Sequence, residues 1–244
     1  MKRIVYSIGI ISIVCLFLSA CNPIMDAVMS DLPGLYINDN VMPVDWSKKT
    51  FTITDGFQWL QRHAQSNTRY TMRLAHSENV NPIDISSCLG KAENVSITIT
   101  APETKDISLQ VAHAMYIDNF SRGSIFTVGS EHGNANTLIL DGNITIKGTN
   151  NRDSLIRVEK TGTLIMRGNV RITGNNTNAK GGGVYLNGGA FFLENGTISK
   201  NIAAVGGGVY VEEGIFKRTG GTISGNNCFY SDATFNDLYI SGIE

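Results

Sequence analysis

An all-β solenoid, in which the chain winds into a coil of short stacked strands, is the fold class this sequence predicts, on three observations. The segments TLILDGNITIKG, TLIMRGNVRITGN, AFFLENGTISKN and IFKRTGGTISGN begin at residues 137, 163, 190 and 215, so similar units recur every 25–27 residues. Ile146, Ile172, Ile198 and Ile223 occupy equivalent places in these units, and so do Asn175, Asn201 and Asn226. Each unit holds only short β-prone runs between Gly, Asn, Asp and Ser turns, for example Thr163–Met166, Asn169–Ile172 and Gly183–Leu186. Stacking one unit on the next pairs each strand with its equivalent at a spacing of about 4.8 Å. The isoleucines then form an inward column, worth about 1.5–3 kcal/mol per buried side chain. The asparagines can bond the backbone and one another down the stack. Stability becomes a sum over neighbouring coils, and both ends need caps.

The N-terminus reads as an export signal. Lys2 and Arg3 precede an almost unbroken apolar run from Ile4 to Leu18, which ends in Leu18-Ser19-Ala20-Cys21. This ending resembles the bacterial lipoprotein box, which implies cleavage before Cys21 and lipidation of its thiol. Residues 1–20 are then a signal peptide and Cys21 a tether to the membrane, since two or more acyl chains give stable anchoring. The other readings are an ordinary signal peptide with an incidental cysteine, or an uncleaved anchor. Removing residues 1–20 takes two basic residues and no acid, leaving 18 basic against 21 acidic residues, a net charge near −3. No basic stripe occurs, so nucleic acid is not an expected partner. Cys88 and Cys228 are expected to be small buried residues, not part of a disulfide framework.

Residues 21–50 are too irregular to assign and are expected to form a tether. Residues 51–69 are expected to be a capping strand and helix. Phe51–Thr54 alternates like a strand, Asp55 can cap a helix with Gln58 reaching back, and Phe57, Leu60 and Ala64 recur at helical spacing over 56–66. From 70 to 244 strand runs follow one another, at Tyr70–Leu74, Val95–Thr100, Ile107–Val111, Ser124–Val128, Thr137–Leu140 and Asn143–Ile146, before the clear repeats of 137–242.

The GTISGN, GGGVYV and TLIM segments resemble the right-handed parallel β-helix repeats of bacterial cell-surface proteins. Together with Leu18–Cys21, they are most similar to the β-helix lipoproteins of spirochaetes such as treponemes. The match is strong over about 137–242 and weaker back to about 70. It implies a pectin-lyase-like fold, closed at its N-terminal end by the short amphipathic helix. Enzymes on that fold degrade polysaccharides, but a fold does not carry its chemistry with it.

Glycoside hydrolysis needs two carboxylates converging on one bond, and lyase chemistry needs a base with acid-held Ca²⁺. Here Asp141, Asp153, Glu159, Glu194, Glu212, Glu213, Asp232 and Asp237 are scattered, and no Asp-Asp pair or Gly-His-Gly occurs. Glu131-His132-Gly133 is at best a weak echo of that pattern and reads as a turn, and Arg171-Ile172-Thr173 matches only fragments of a catalytic strand. His63, His76, His113 and His132 are isolated, so no metal site is expected, and no cofactor motif is present. The triple glycines of GGGVYLNGG (181–189) and GGGVYVEEG (206–214) lead into strands and recur in register, unlike a phosphate loop. They are expected at a sharp corner where positive φ or contact with the next coil excludes Cβ. Val184, Leu186, Val209 and Val211 then face inward, and Tyr185, Tyr210 and, in a third unit, Tyr239 form an outward column. Such a column either binds sugar rings or protein partners, or stacks on itself to fix register.

The function expected is a lipid-anchored cell-envelope protein, at the outer membrane or cell surface, acting as a non-catalytic binding, adhesion or structural module. Its expected partners are the membrane, through Cys21, and host glycans, matrix proteins or envelope components. The alternative is a polysaccharide lyase or glycoside hydrolase of the pectin-lyase-like fold.

Overall fold

A computed structural model of the protein describes residues 33–37, 40–41, 51–112, 123–229 and 235–242. The signal peptide over 1–20, lipidation at Cys21, and the residues His113 and Asp232 lie outside these.

The short runs between polar turns wind into a parallel β-solenoid of about 6 turns. Its strands are β1 (Gly34–Ile37), β2 (Asn40–Val41), β3 (Arg69–Arg73), β4 (Glu78–Val80), β5 (Ile83–Asp84), β6 (Val95–Ala101), β7 (Ile107–Val111), β8 (Phe126–Val128), β9 (Asn136–Gly142) and β10 (Ile144–Lys147). They continue as β11 (Ile156–Glu159), β12 (Gly162–Met166), β13 (Arg171–Thr173), β14 (Val184–Leu193), β15 (Thr197–Ser199), β16 (Ile202–Ala203), β17 (Val209–Arg218), β18 (Thr222–Ile223), β19 (Asn227–Cys228) and β20 (Leu238–Ile240). The coil has three faces. One carries β5, β8, β11, the first half of β14, the first half of β17 and β20. A second carries β3, β6, β9, β12 and the second halves of β14 and β17. The third stacks β4, β7, β10, β13, β15 and β18.

Register follows the repeat. Ile146 lies beside Ile172, Ile172 beside Ile198, and Ile198 beside Ile223, and all four are buried. Leu109 extends this column one coil further toward the N-terminus. Val184 pairs with Val209, and Leu186 with Val211, on the inward side of the first face. Strand alternation thus places one continuous apolar core along the axis.

The N-terminal end is closed differently from the expectation. The helix α1 runs Ile53–His63, beginning two residues inside the stretch read as a strand. Its N-cap is Thr52, not Asp55. Thr52 Oγ1 accepts from Asp55 N at 3.1 Å, and Asp55 Oδ2 accepts from Thr52 N at 3.1 Å, a capping box worth about 1 kcal/mol. The alternation of Phe51–Thr54 is the lead-in to this box. Both Glu78 carboxylate oxygens also accept from Ile53 N at 3.1 Å. The buried face of α1, Ile53, Phe57 and Leu60, packs on the core, with Phe57 6.3 Å from Phe126 between ring centroids.

Part of the segment read as a tether is ordered. β1 pairs antiparallel with β3, and β2 antiparallel with β1. Leu35 and Tyr36 are buried there, and the Arg73 guanidinium sits 4.3 Å from the Tyr36 ring centre. A second short helix, α2 (Ile85–Leu89), interrupts the run of strands after β5, capped by Asp84, whose Oδ1 accepts from Ser87 N. Cys88 and Cys228 are free thiols, and each is half-buried where burial was expected. Burial still pushes the Cys88 thiol pKa up.

Candidate functional site

The triple glycines mark the corner that enters the first face. Gly181 and Gly206 adopt φ of +69° and +62°, open to glycine at little cost. The two glycines after each are excluded from side chains by the next coil. A Cβ on Gly183 would lie 2.7 Å from Gly208 O and 2.9 Å from Ile198 Cγ2. The backbone instead bonds coil to coil, Gly183 N donating to Gly207 O and Val184 N to Gly208 O.

That corner aims the three tyrosines along one line. Tyr185 lies beside Tyr210 and Tyr210 beside Tyr239, with ring centroids 5.8 and 5.0 Å apart. The rings are not an open strip. Arg157 lies 4.7 Å from the Tyr185 ring centre and Lys180 Nζ 4.7 Å from that of Tyr210. Phe235 packs edge-on against Tyr239 at 5.2 Å. Tyr210 is only 4% exposed, whereas the outward column anticipated a solvated ring. Lys180 Nζ donates to Glu212 Oε2 at 2.7 Å, and Tyr185 Oη donates to the same oxygen at 3.4 Å. This hydrogen bond from Lys180 holds the Glu212 carboxyl below its ordinary pKa, and the Lys180 ammonium is raised in turn. Desolvation, then the Glu212 charge, pushes the Tyr185 phenol up.

The asparagine column is a buried hydrogen-bond ladder. Asn175 N donates to Asn201 Oδ1 and Asn201 N to Asn226 Oδ1, both at 3.1 Å. Asn201 Nδ2 donates to Ile172 O at 3.1 Å and to Asn226 Oδ1 at 3.0 Å, while Asn226 Nδ2 donates to Ile198 O at 3.0 Å. The ladder ends on Asp237, whose Oδ1 accepts from Asn226 N and Nδ2, each at 2.9 Å. Asp237 is thus a ladder terminus. At the other end, Asn175 Oδ1 makes no hydrogen bond.

Cross-coil ion pairs take up Asp141 of the scattered acids, and Asp106 and Glu131 besides. Asp141 pairs with Arg167 at 2.8 Å, Asp106 with Arg171 at 2.5 Å and Glu131 with Lys160 at 2.8 Å. Glu159 bonds Arg157 on its own strand and accepts from Asn187 Nδ2 at 2.7 Å. No cluster of three or more His, Cys, Asp or Glu side chains suited to a metal occurs among the described residues. His63 stacks on Trp59 with centroids 4.5 Å apart, and its Nδ1 lies 2.9 Å from Trp59 O.

A groove that the sequence reading did not single out runs across the corner between the second and third faces. It has a volume of about 350 Å³, and Asn143, Asn169, Asn195, Arg171, Thr197 and Thr222 supply its polar side chains. The three asparagines recur every 26 residues in DGN, RGN and ENG. That spacing was the signal available in the sequence, and it was hidden because the third coil reaches the corner one residue sooner. Among the described residues the lining contains no carboxylate, and its one charged side chain, Arg171, is paired with Asp106. Chemically the groove offers amides, hydroxyls and one guanidinium, which can hold polar ligands by hydrogen bonds.

Fold and surface together define a parallel β-solenoid with internal repeats, a self-packed aromatic column and a polar corner groove. Comparison with protein-family models, with curated proteins and with solved structures finds no match for this chain.

Proposed function

We propose that the protein is a lipid-anchored β-helix of the cell envelope that binds glycans along its polar corner groove without cleaving them. The observation that carries this reading is the groove lining, a row of asparagines and threonines from successive coils with one arginine and no acid. Hydroxyl-rich chains are recognised by groups of this kind. A hydrolase would need two carboxylates at the scissile bond, and the acids beside the groove are tied up in ion pairs, Asp106 with Arg171 and Asp141 with Arg167. The tyrosine column supports a structural role, because its rings stack on one another and lie under Arg157 and Lys180. Anchoring rests on Leu18-Ser19-Ala20-Cys21.

The test is a glycan and matrix-protein binding screen on the purified protein, followed by titration of the doubly substituted Asn169→Ala/Asn195→Ala variant. Loss of about tenfold in glycan affinity, with unchanged unfolding, is expected when two amide contacts are removed. Release of oligosaccharides from the bound glycan would sink the binding-module reading and return the chain to the polysaccharide-degrading alternative. Acyl labelling of intact cells, abolished by Cys21→Ala, checks the anchor.

A further inference from the structure

Among the described residues, the last coil presents an edge that no further strand covers. β20 pairs only with Val209–Val211 of β17, and among the described residues no strand pairs with β17 beyond Val211. β18 likewise has a partner on one side alone among the described residues. Ile215 is 61% exposed here, and Phe216 is half-buried, its ring 5.4 Å from that of Phe191 in the coil below. An open edge with apolar side chains is a template for another strand.

The sequence along this edge says which strand fits. Residues 212–218 read Glu-Glu-Gly-Ile-Phe-Lys-Arg, acidic at one end and basic at the other, with Ile215 at the centre. Run antiparallel against itself about Ile215, the segment sets Glu213 against Lys217 and Glu212 against Arg218. A two-fold axis makes each pair twice. Parallel pairing in register would instead oppose like charges, which is destabilising. Glu213 and Lys217 are exposed, so this pair is available to such a partner, whereas Arg218 also donates to Gly220 O and Gly221 O and Glu212 is held by Lys180. Ile215 meets its own copy, and the half-covered Phe216 faces the small Gly214.

We propose that two copies of this chain pair antiparallel through residues 212–218 of β17, giving an isologous end-to-end dimer in which each copy closes the other's coil. The partner is the protein itself, selected by the charge order of the strand.

The experiment is light scattering on size-separated full chain in detergent micelles, for wild type, Lys217→Glu, Glu213→Lys and an equal mixture of the two variants. Wild type is expected to be dimeric. Each single variant opposes like charges at two symmetric positions and should dimerise about tenfold more weakly. The mixture restores opposite charges at both positions and should recover the wild-type dimer, an outcome that a general loss of folding cannot produce. Wild type monomeric at about 100 μM would overturn the proposal, whether the edge is then bare or covered by another envelope protein. Single variants that dimerise like wild type, or a mixture as weak as its components, would overturn it equally.

Discussion

Replacing Asn201 with alanine tests whether the ladder is a main source of stability. Asn201 is fully buried. The substitution removes the acceptor of Asn175 N and both bonds donated by Nδ2, to Ile172 O and Asn226 Oδ1. An unpaired buried N–H costs about 1–3 kcal/mol, and each of the other two bonds contributes about 0.5–1.5 kcal/mol net. The expected loss is therefore about 2–6 kcal/mol. Asn195→Ala, on the exposed groove, serves as the control and should stay within about 0.5 kcal/mol of wild type. Urea unfolding followed by far-UV circular dichroism measures both, with the slope checked because stacked coils can unfold in parts. Asn201→Asp sharpens the test. It keeps the acceptor for Asn175 N but turns a second oxygen toward Ile172 O and Asn226 Oδ1, which are both acceptors. Burial beside acceptors raises the folded pKa of this new acid above its unfolded value. Its stability deficit is then smallest at low pH and grows as pH rises through the folded value. A loss under about 1 kcal/mol for Asn201→Ala, at unchanged slope, would refute the assignment of the ladder as a main support.

Two further outcomes are expected. Gly183→Ala should lose about 1–3 kcal/mol by overpacking against Gly208 O and Ile198 Cγ2, whereas Gly225→Ala, with φ of +70° and nothing within 4 Å, should lose only about 1 kcal/mol of backbone strain; equal losses in denaturant titrations would contradict the close-contact explanation. Glu212 has a lowered folded pKa, so the stability from its Lys180 pair is present above the unfolded glutamate value near 4.3 and is lost as pH falls through the folded one. Glu212→Gln should lower stability by about 0.5 kcal/mol at pH 7 for this solvent-screened pair and by almost nothing near pH 2, read as the Tm difference at each pH, with a pH-independent difference counting against the pair.

The repeating part of the fold was legible because identical side chains stack. The columns of Ile146, Ile172, Ile198 and Ile223, and of Asn175, Asn201 and Asn226, lie in the register that the spacing implies. The same logic placed the glycine corner. Legibility failed where the chain departs from the repeat. β1 and β2 sit in a stretch with no internal copy, and they are ordered by pairing with β3, a contact that local sequence does not encode. The helix start was misplaced because Thr52 and Asp55 form the same box that Asp55 and Gln58 mimic three residues later. Alternation sets Tyr210 on the opposite side of the strand from Val209 and Val211, but its cover comes from Lys180, at the preceding corner of the coil below. Period-two reasoning on one strand is blind to such a neighbour. The groove was missed because its asparagines are spread over three coils and become one surface only after winding.

The asparagine ladder has a sense as well as a length. Every rung passes its backbone N–H forward to the next side-chain oxygen, and Asp237, whose side chain carries no amide hydrogens, receives the last one among the described residues. A unit duplicated or deleted between Asn175 and Asn226 would leave every forward bond with a partner, so the protein can change length there by whole repeats. A unit added beyond Asp237 would find its backbone N–H but no side-chain amide to donate. The ladder can therefore lengthen from its middle by whole repeats with every bond kept, and variation in repeat number among descendants of this gene should concentrate between those two asparagines.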